Sequence, residues 1–167
     1  ETIDSVNLSL KGQESQHQLS LDVASKIVST QIRVAGNLDR SKGIVWDGEL
    51  DRAKITTEQG PWTLEQAVAI KYDSNTQQVD VAKHCWEQQN AHLCLIKDLQ
   101  AGESGEAYVD IRNFEFSQIA KYVPQVLDLQ GSVTASTWAK WSPEAKPEAK
   151  VSIRLPKGRV TQKSDAP

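Results

Sequence analysis

The sequence predicts an all-β protein built on antiparallel sheet. Apolar residues recur at every second position, with charges and amides between them, at Leu19-Leu21-Val23, Ile32-Val34, Val68-Ile70-Tyr72, Val79-Val81, Val109-Ile111 and Val151-Ile153-Leu155. Side chains on a strand alternate faces with period 2, so each run is a ribbon with one apolar and one wet face. Turn-forming clusters punctuate these runs at short intervals, the spacing of an all-β chain. No nucleophile constellation, phosphate loop or carboxylate cluster interrupts the repetition.

The elements follow in order. Strands are predicted at 2–10, 16–24, 27–38, 43–57 and 61–73, forming a meander. Its turns fall at Lys11-Gly12-Gln13, Ala24-Ser25-Lys26, Asp39-Arg40-Ser41-Lys42-Gly43, Gln59-Gly60-Pro61 and Asp73-Ser74-Asn75. Strands at 78–86 and 91–98 form a hairpin, and Gln100 to Gly105 turns the chain into a strand at 105–114. From Phe116 to Leu127 the period changes: Phe116, Ile119, Ala120, Val123 and Leu127 have helical spacing, with Ser117 as N-cap and Pro124 as stop. One short helix is expected there, plugging one end of the sheet. Strands resume at 128–138 and 149–155, and the Pro- and charge-rich stretch 141–148 between them reads as a mobile linker. Residues 1–155 are expected to form a single domain and 156–167 a frayed tail. About ten strands at about 4.8 Å spacing make a sheet roughly 45–50 Å wide, which must curl, split into layers or close.

Composition bounds the function. The chain has 167 residues, 38% hydrophobic and 25% charged, which suits one ordinary globular domain. Its net charge is -3, with the basic residues scattered among acids, so the footprint of a nucleic-acid partner is missing. The apolar runs are too short for a membrane-spanning helix. A chain that starts at Glu1 and contains no methionine reads as processed, or as a piece of a longer protein.

Cys85 and Cys94 flank Gln89-Asn90 symmetrically. With those two residues as the hairpin turn, 88 pairs with 91, 87 with 92, 86 with 93 and 85 with 94, and the two sulfurs face each other. A disulfide is the favoured reading; it closes a short loop, stabilises by about 2.5–3 kcal/mol and points to an oxidising compartment. Two unpaired thiols, or a metal held with His84 and His92, are the alternatives. Metal is disfavoured because neighbours on a strand point to opposite faces, whereas a tetrahedral site needs four converging ligands. No other metal ligands and no cofactor are expected.

Enzyme readings are poor. Ser104 in Gly102-Glu103-Ser104-Gly105 lacks the spacing of a nucleophile elbow. Asp47, Glu49 and Asp51 alternate along one strand, but Arg52 and Lys54 follow, as on a solvated charged face. Trp46, Trp62, Trp86, Trp138 and Trp141 invite a sugar-stacking reading; packing is preferred, because no Asn/Asp/aromatic cluster recurs around them.

From Cys85 to Val133 the chain resembles the periplasmic region of the TamB family, in the AsmA-like group of Gram-negative envelope proteins. His84-Cys85-Trp86 with Leu93-Cys94-Leu95, then Gly105-Glu106-Ala107, Phe114-x-Phe116-x-x-Ile119 into Tyr122-Val123-Pro124, and Leu129-Gln130-Gly131-Ser132-Val133 carry the resemblance. Upstream, Ile55-Thr56-Thr57-Glu58, Trp62-x-Leu64 and Ile70-x-Tyr72 extend it over most of the chain. The resemblance implies an antiparallel sheet curled into an open U-shaped trough, a β-taco with an apolar concave face. It further implies an internal segment of a longer protein, anchored in the inner membrane and working in the periplasm. The implied cargo is phospholipid acyl chains or nascent outer-membrane proteins, and the implied partner TamA, met by another part of the full-length protein. On that reading Leu19, Leu21, Val23, Ile32, Val34, Val79, Val81, Val109, Ile111 and Val133 line the hydrophobic groove, and no residue is catalytic. The competing expectations are a closed β-sandwich acting in adhesion or carbohydrate binding, and a hydrolase whose site forms no motif.

Overall fold

Alternating strands that find hydrogen-bonded neighbours on both sides grow into one sheet, and here they do so in chain order. The computed structural model describes residues 3–122, 127–156 and 158–162. The first four strands, β1 (Ile3–Gln13), β2 (Gln16–Ser25), β3 (Val28–Asp39) and β4 (Val45–Thr57), pair antiparallel as consecutive hairpins. The next three positions each hold two half-strands. These are β5 (Gly60–Leu64) with β6 (Val68–Asp73), β7 (Gln78–Val81) with β8 (His84–Gln88), and β9 (Ala91–Leu95) with β10 (Leu99–Ala101). β4 pairs with β6 through Val45–Leu50 and with β5 through Lys54–Thr57. From there β6–β7–β10 and β5–β8–β9 run side by side. Both tracks rejoin on β11 (Gly105–Glu115), which is followed in the sheet by β13 (Ser132–Ser142) and β14 (Ala145–Arg154). Among the described residues thirteen strands thus form one antiparallel sheet. A separate two-stranded ribbon joins β12 (Leu127–Gln130) to β15 (Arg159–Gln162).

Sheet hydrogen bonds survive the breaks between half-strands. The Glu65 N–H donates to the Cys85 carbonyl at 3.0 Å, Ala82 to Ala69 at 2.9 Å and Ile96 to Tyr108 at 3.0 Å. The Lys83 N–H donates to Asp98 Oδ1 at 2.8 Å. The predicted strands 61–73 and 78–86 are therefore real in position but divided, whereas the one predicted at 91–98 ends at Leu95 and β10 forms partly where a turn was expected.

Of the four register shifts in the described sheet, the two within its interior strands decide which residues share the apolar face. Pairing passes from Arg33–Arg52 to Val34–Leu50, which leaves Asp51 as the extra residue of β4. It passes from Ile111–Ala135 to Phe114–Val133 across Arg112 and Asn113, where Asn113 takes the left-handed φ of 52°. An extra residue reverses which parity of position faces which side. Trp46, Gly48 and Leu50 therefore share a face with Ala53 and Ile55, and Ile111 shares one with Phe114.

Four expectations need correction. The helix is a 3-10 helix, Phe116–Tyr122, begun by a hydrogen bond from the Phe116 N–H to the Gly131 carbonyl at 3.0 Å. Its Pro124 stop and the Ile119 side chain lie outside the described residues. The 141–148 stretch is not a linker: β13 and β14 turn tightly there, with Ser142 opposite Ala145. Its Pro147 is tolerated because β14 is an edge strand among the described residues, where a missing N–H breaks no ladder. The strand expected at 128–138 is two strands divided at Gly131, and residues 159–162 of the expected tail form β15.

Full burial is sparse. Ala53, Leu64 and Val68 form the packed centre, with Ile32, Leu50, Ile70, Val81 and Trp86 against it. Gln88 is 1% exposed; its Nε2 donates to the Gln59 carbonyl at 3.1 Å, and its Oε1 has no hydrogen-bond partner.

Candidate functional site: one apolar face across the sheet

Residues directly opposite each other on antiparallel neighbours point to the same side, so the register alone assigns faces. Leu8, Leu21, Ile32 and Ala53 form one cross-strand row, and Leu10, Leu19, Val34, Leu50 and Val68 the next. Gly48, Ile70, Val81 and Leu99 continue on β4, β6, β7 and β10, with Tyr72 and Val79 beside them. The other arm is reached through Ile55–Trp62 and Leu64–Trp86. It carries Trp86, Leu93, Ile111, Ala135 and Ile153 in one row, and Leu95, Val109, Thr137 and Val151 in another. Phe114 pairs with Val133 at its end.

All ten residues predicted to line a groove, from Leu19 to Val133, therefore lie on one face of one sheet. Each is half-buried and none is sealed. The outermost strands present the same face to solvent: Leu8 and Leu10 of β1 are 67% and 69% exposed, and Val151 and Ile153 of β14 are 62% and 64%. The accessible surface is 11769 Å² for 18.5 kDa, where a compact globular chain of that mass exposes about 8,200 Å².

The opposite face is polar. Asp22, Gln31, Arg33, Glu49, Arg52 and Lys54 are exposed on it. A depression of about 950 Å³ there is lined by Lys11, Gln18, Asn37, Asp47 and Glu49 among others. Further along, Glu106 accepts hydrogen bonds from the Tyr108 hydroxyl at 2.6 Å and from the Trp138 indole N–H. These two bonds, that of Tyr108 first, hold its carboxyl below the usual range. Lys97 and Lys150 sit over the Tyr108 and Trp138 rings at 3.6 and 5.3 Å from their centres. Asp39 is lowered as well, by the Ser41 N–H that closes the β3–β4 turn.

The cysteine hairpin has the register expected of it, and Cys85 and Cys94 are joined by a disulfide. Gln89 takes the left-handed φ of 54° at the turn. The bridge faces away from Trp86 and Leu93, stapling the sheet without occupying its apolar side. Both sulfurs are spent in that bond, and the imidazoles diverge: His84 Nδ1 bonds the Ala82 carbonyl at 2.9 Å, while His92 Nδ1 meets Glu65 Oε1 at 2.7 Å. Among the described residues no cluster of His, Cys, Asp or Glu fits a metal ion. No helix among them is long and apolar enough to cross a membrane.

The family described as "TamB, N-terminal domain" matches residues 1–167. The chain belongs to that family. A relative from Haemophilus influenzae, "Translocation and assembly module subunit TamB", is 28% identical over 133 residues, 77% of this chain. Those residues are 10% of the relative, so the chain spans about a tenth of the TamB protein it matches. No solved structure matches.

Alternation alone misses several residues on the apolar face of this TamB-family chain. Phe114 stands at the wrong parity until the Asn113 bulge is known. Trp46 and Trp141, expected to serve general packing, each lie over glycine. A Cβ added at Gly36 or Gly48 would meet the Trp46 ring at 2.7 or 2.8 Å, and one at Gly105 would run into Trp141. The Trp46 N–H donates to His17 Nε2 at 2.9 Å and the Trp141 N–H to the Gly102 carbonyl at 3.2 Å. A signal exists in the sequence: Trp46-x-Gly48 within one strand pairs a large ring with a position that has no side chain.

Proposed function

We propose that this domain is a non-catalytic periplasmic module of an envelope bridge. Its apolar face forms an open trough that shields phospholipid acyl chains, or segments of nascent outer-membrane proteins, on their way to the outer membrane. The full-length protein is anchored in the inner membrane and works with TamA through another part of its chain. One observation carries the reading: ten alternating apolar residues share a continuous sheet face, and all of them stay partly accessible. An acyl chain in water costs about 0.8 kcal/mol per exposed CH₂, so such a face lowers the barrier to transfer without any reacting group. The disulfide suits the oxidising periplasm, and membership of the TamB family supports the bridge.

The excess accessible surface weighs against a closed sandwich, which seals its inner face. Binding of a fluorescent phospholipid and of a glycan panel to the purified domain separates the two readings. Saturable lipid binding with no glycan binding is expected. Glycan binding without lipid binding replaces the trough with a carbohydrate-binding module.

A further inference from the structure

Trp46, Tyr72, Val79, Ala101, Gly105 and Trp141 form one unbroken cross-strand row on the apolar face. Five steps of about 4.8 Å put its two tryptophans about 24 Å apart along the sheet. The row lies at one end of the strands, next to the β3–β4, β6–β7 and β10–β11 turns. Both indoles have their N–H groups fixed by His17 and Gly102, and both rings rest over glycine backbone. Deeper on the face the neighbouring row, Ile70, Val81 and Leu99, is aliphatic. An aromatic ring with a fixed polar edge, set between aliphatic surface and water, is the arrangement Trp and Tyr take at membrane interfaces.

We infer that the Trp46–Tyr72–Trp141 row is the headgroup-side border of the trough, seating the glycerol region of a phospholipid whose acyl chains run toward Trp62 and Trp86. The inference rests on the lipid reading above. Exposed side chains of both signs, Lys42 and Glu103, stand in the adjoining turns, while Arg40 pairs with Glu14 at 3.2 Å and Asp39 and Asp73 both stand opposite Val45 on the polar face. The border gives the trough a polarity along its strands, with headgroups at the turn of Ser41 and acyl chains toward the end where the 3-10 helix sits.

Tryptophan quenching by nitroxide-labelled phosphatidylcholine tests this in two variants. Trp62→Phe/Trp86→Phe/Trp138→Phe keeps the border pair Trp46 and Trp141, and Trp46→Phe/Trp138→Phe/Trp141→Phe keeps Trp62 and Trp86. A headgroup label is expected to quench the border pair about twofold more than the deep pair, and a label midway along the acyl chain to do the reverse. Equal quenching of both pairs, or the opposite order, overturns the border while leaving lipid binding intact. No quenching by either label removes the lipid reading and the border with it. If the triple variants do not fold, a photo-crosslinker at Tyr72 and at Leu99 in the otherwise native chain gives the same comparison. Capture of headgroup or glycerol atoms at Tyr72 and of acyl carbons at Leu99 is expected, and acyl capture at both overturns the border.

Discussion

Cys85 and Cys94 stand directly opposite each other on β8 and β9, and their disulfide projects from the side of the sheet that Trp86 and Leu93 do not use. The bond locks the register of the hairpin through which the apolar face passes from one arm of the sheet to the other. Intact mass after alkylation without reductant is expected to show no added label on protein made in the periplasm. Cys85→Ser/Cys94→Ser is expected to lose about 2.5–3 kcal/mol of unfolding free energy in urea. Two labels per chain, or an unchanged unfolding midpoint, would contradict the staple.

The Trp141 ring occupies the space a side chain at Gly105 needs. Gly105→Ala is expected to destabilise by about 1–3 kcal/mol, as overpacking does. In a double-mutant cycle Trp141→Ala should absorb most of that penalty. Strictly additive effects would mean that ring and glycine are not in contact.

Asn113 holds the bulge with a left-handed backbone. Asn113→Gly is expected to be near neutral and Asn113→Val to cost about 1–2 kcal/mol in thermal or urea unfolding, because a β-branched residue resists that region. Equal stability of the two variants would remove the bulge as the device that turns Phe114 inward.

The Glu106 carboxyl lies below the usual range because its charged form accepts bonds from Tyr108 and Trp138. A depressed folded pKa contributes stability above the unfolded value, and the contribution is lost as pH falls through the folded value. The Trp138 indole N–H resonance is therefore expected to shift at acidic pH, below the ordinary carboxylate titration. In Glu106→Gln that step should vanish. A step that persists in the variant belongs to another group.

The strands, the cysteine register and the composition of the two faces were legible in the sequence because each follows from local period and turn chemistry. Bulges were not. Nothing in Leu50-Asp51-Arg52 announces that Asp51 is the residue left over, since the slip is set by pairing with Arg33 and Val34 on another strand. The divided strands escaped for the same reason: the change of parity at Ala82 and Lys83 reflects the registers of two neighbouring tracks. Pro147 and its charged neighbours read as linker because those residues are also what an edge strand uses to discourage further pairing. The aromatic row was hidden because residues 46, 72 and 141 are aligned only through five pairings.

The central claim is that the alternating apolar face meets cargo, and a site-specific photo-crosslinker on β11 tests it most directly. Val109 and Ile111 lie on that face, while Asp110 and Arg112 lie on the other, ion-paired at 3.2 Å. In cells making the full-length protein, a probe at Val109 or Ile111 is expected to capture phospholipid, and one at Asp110 or Arg112 to capture none. Ile111→Arg should then impair the full-length protein while the isolated domain stays folded, because a wet face can hydrate a charge and a dry core cannot. An isolated domain that unfolds with Ile111→Arg, together with no lipid captured at either apolar position, would contradict the account and make this face a sealed core.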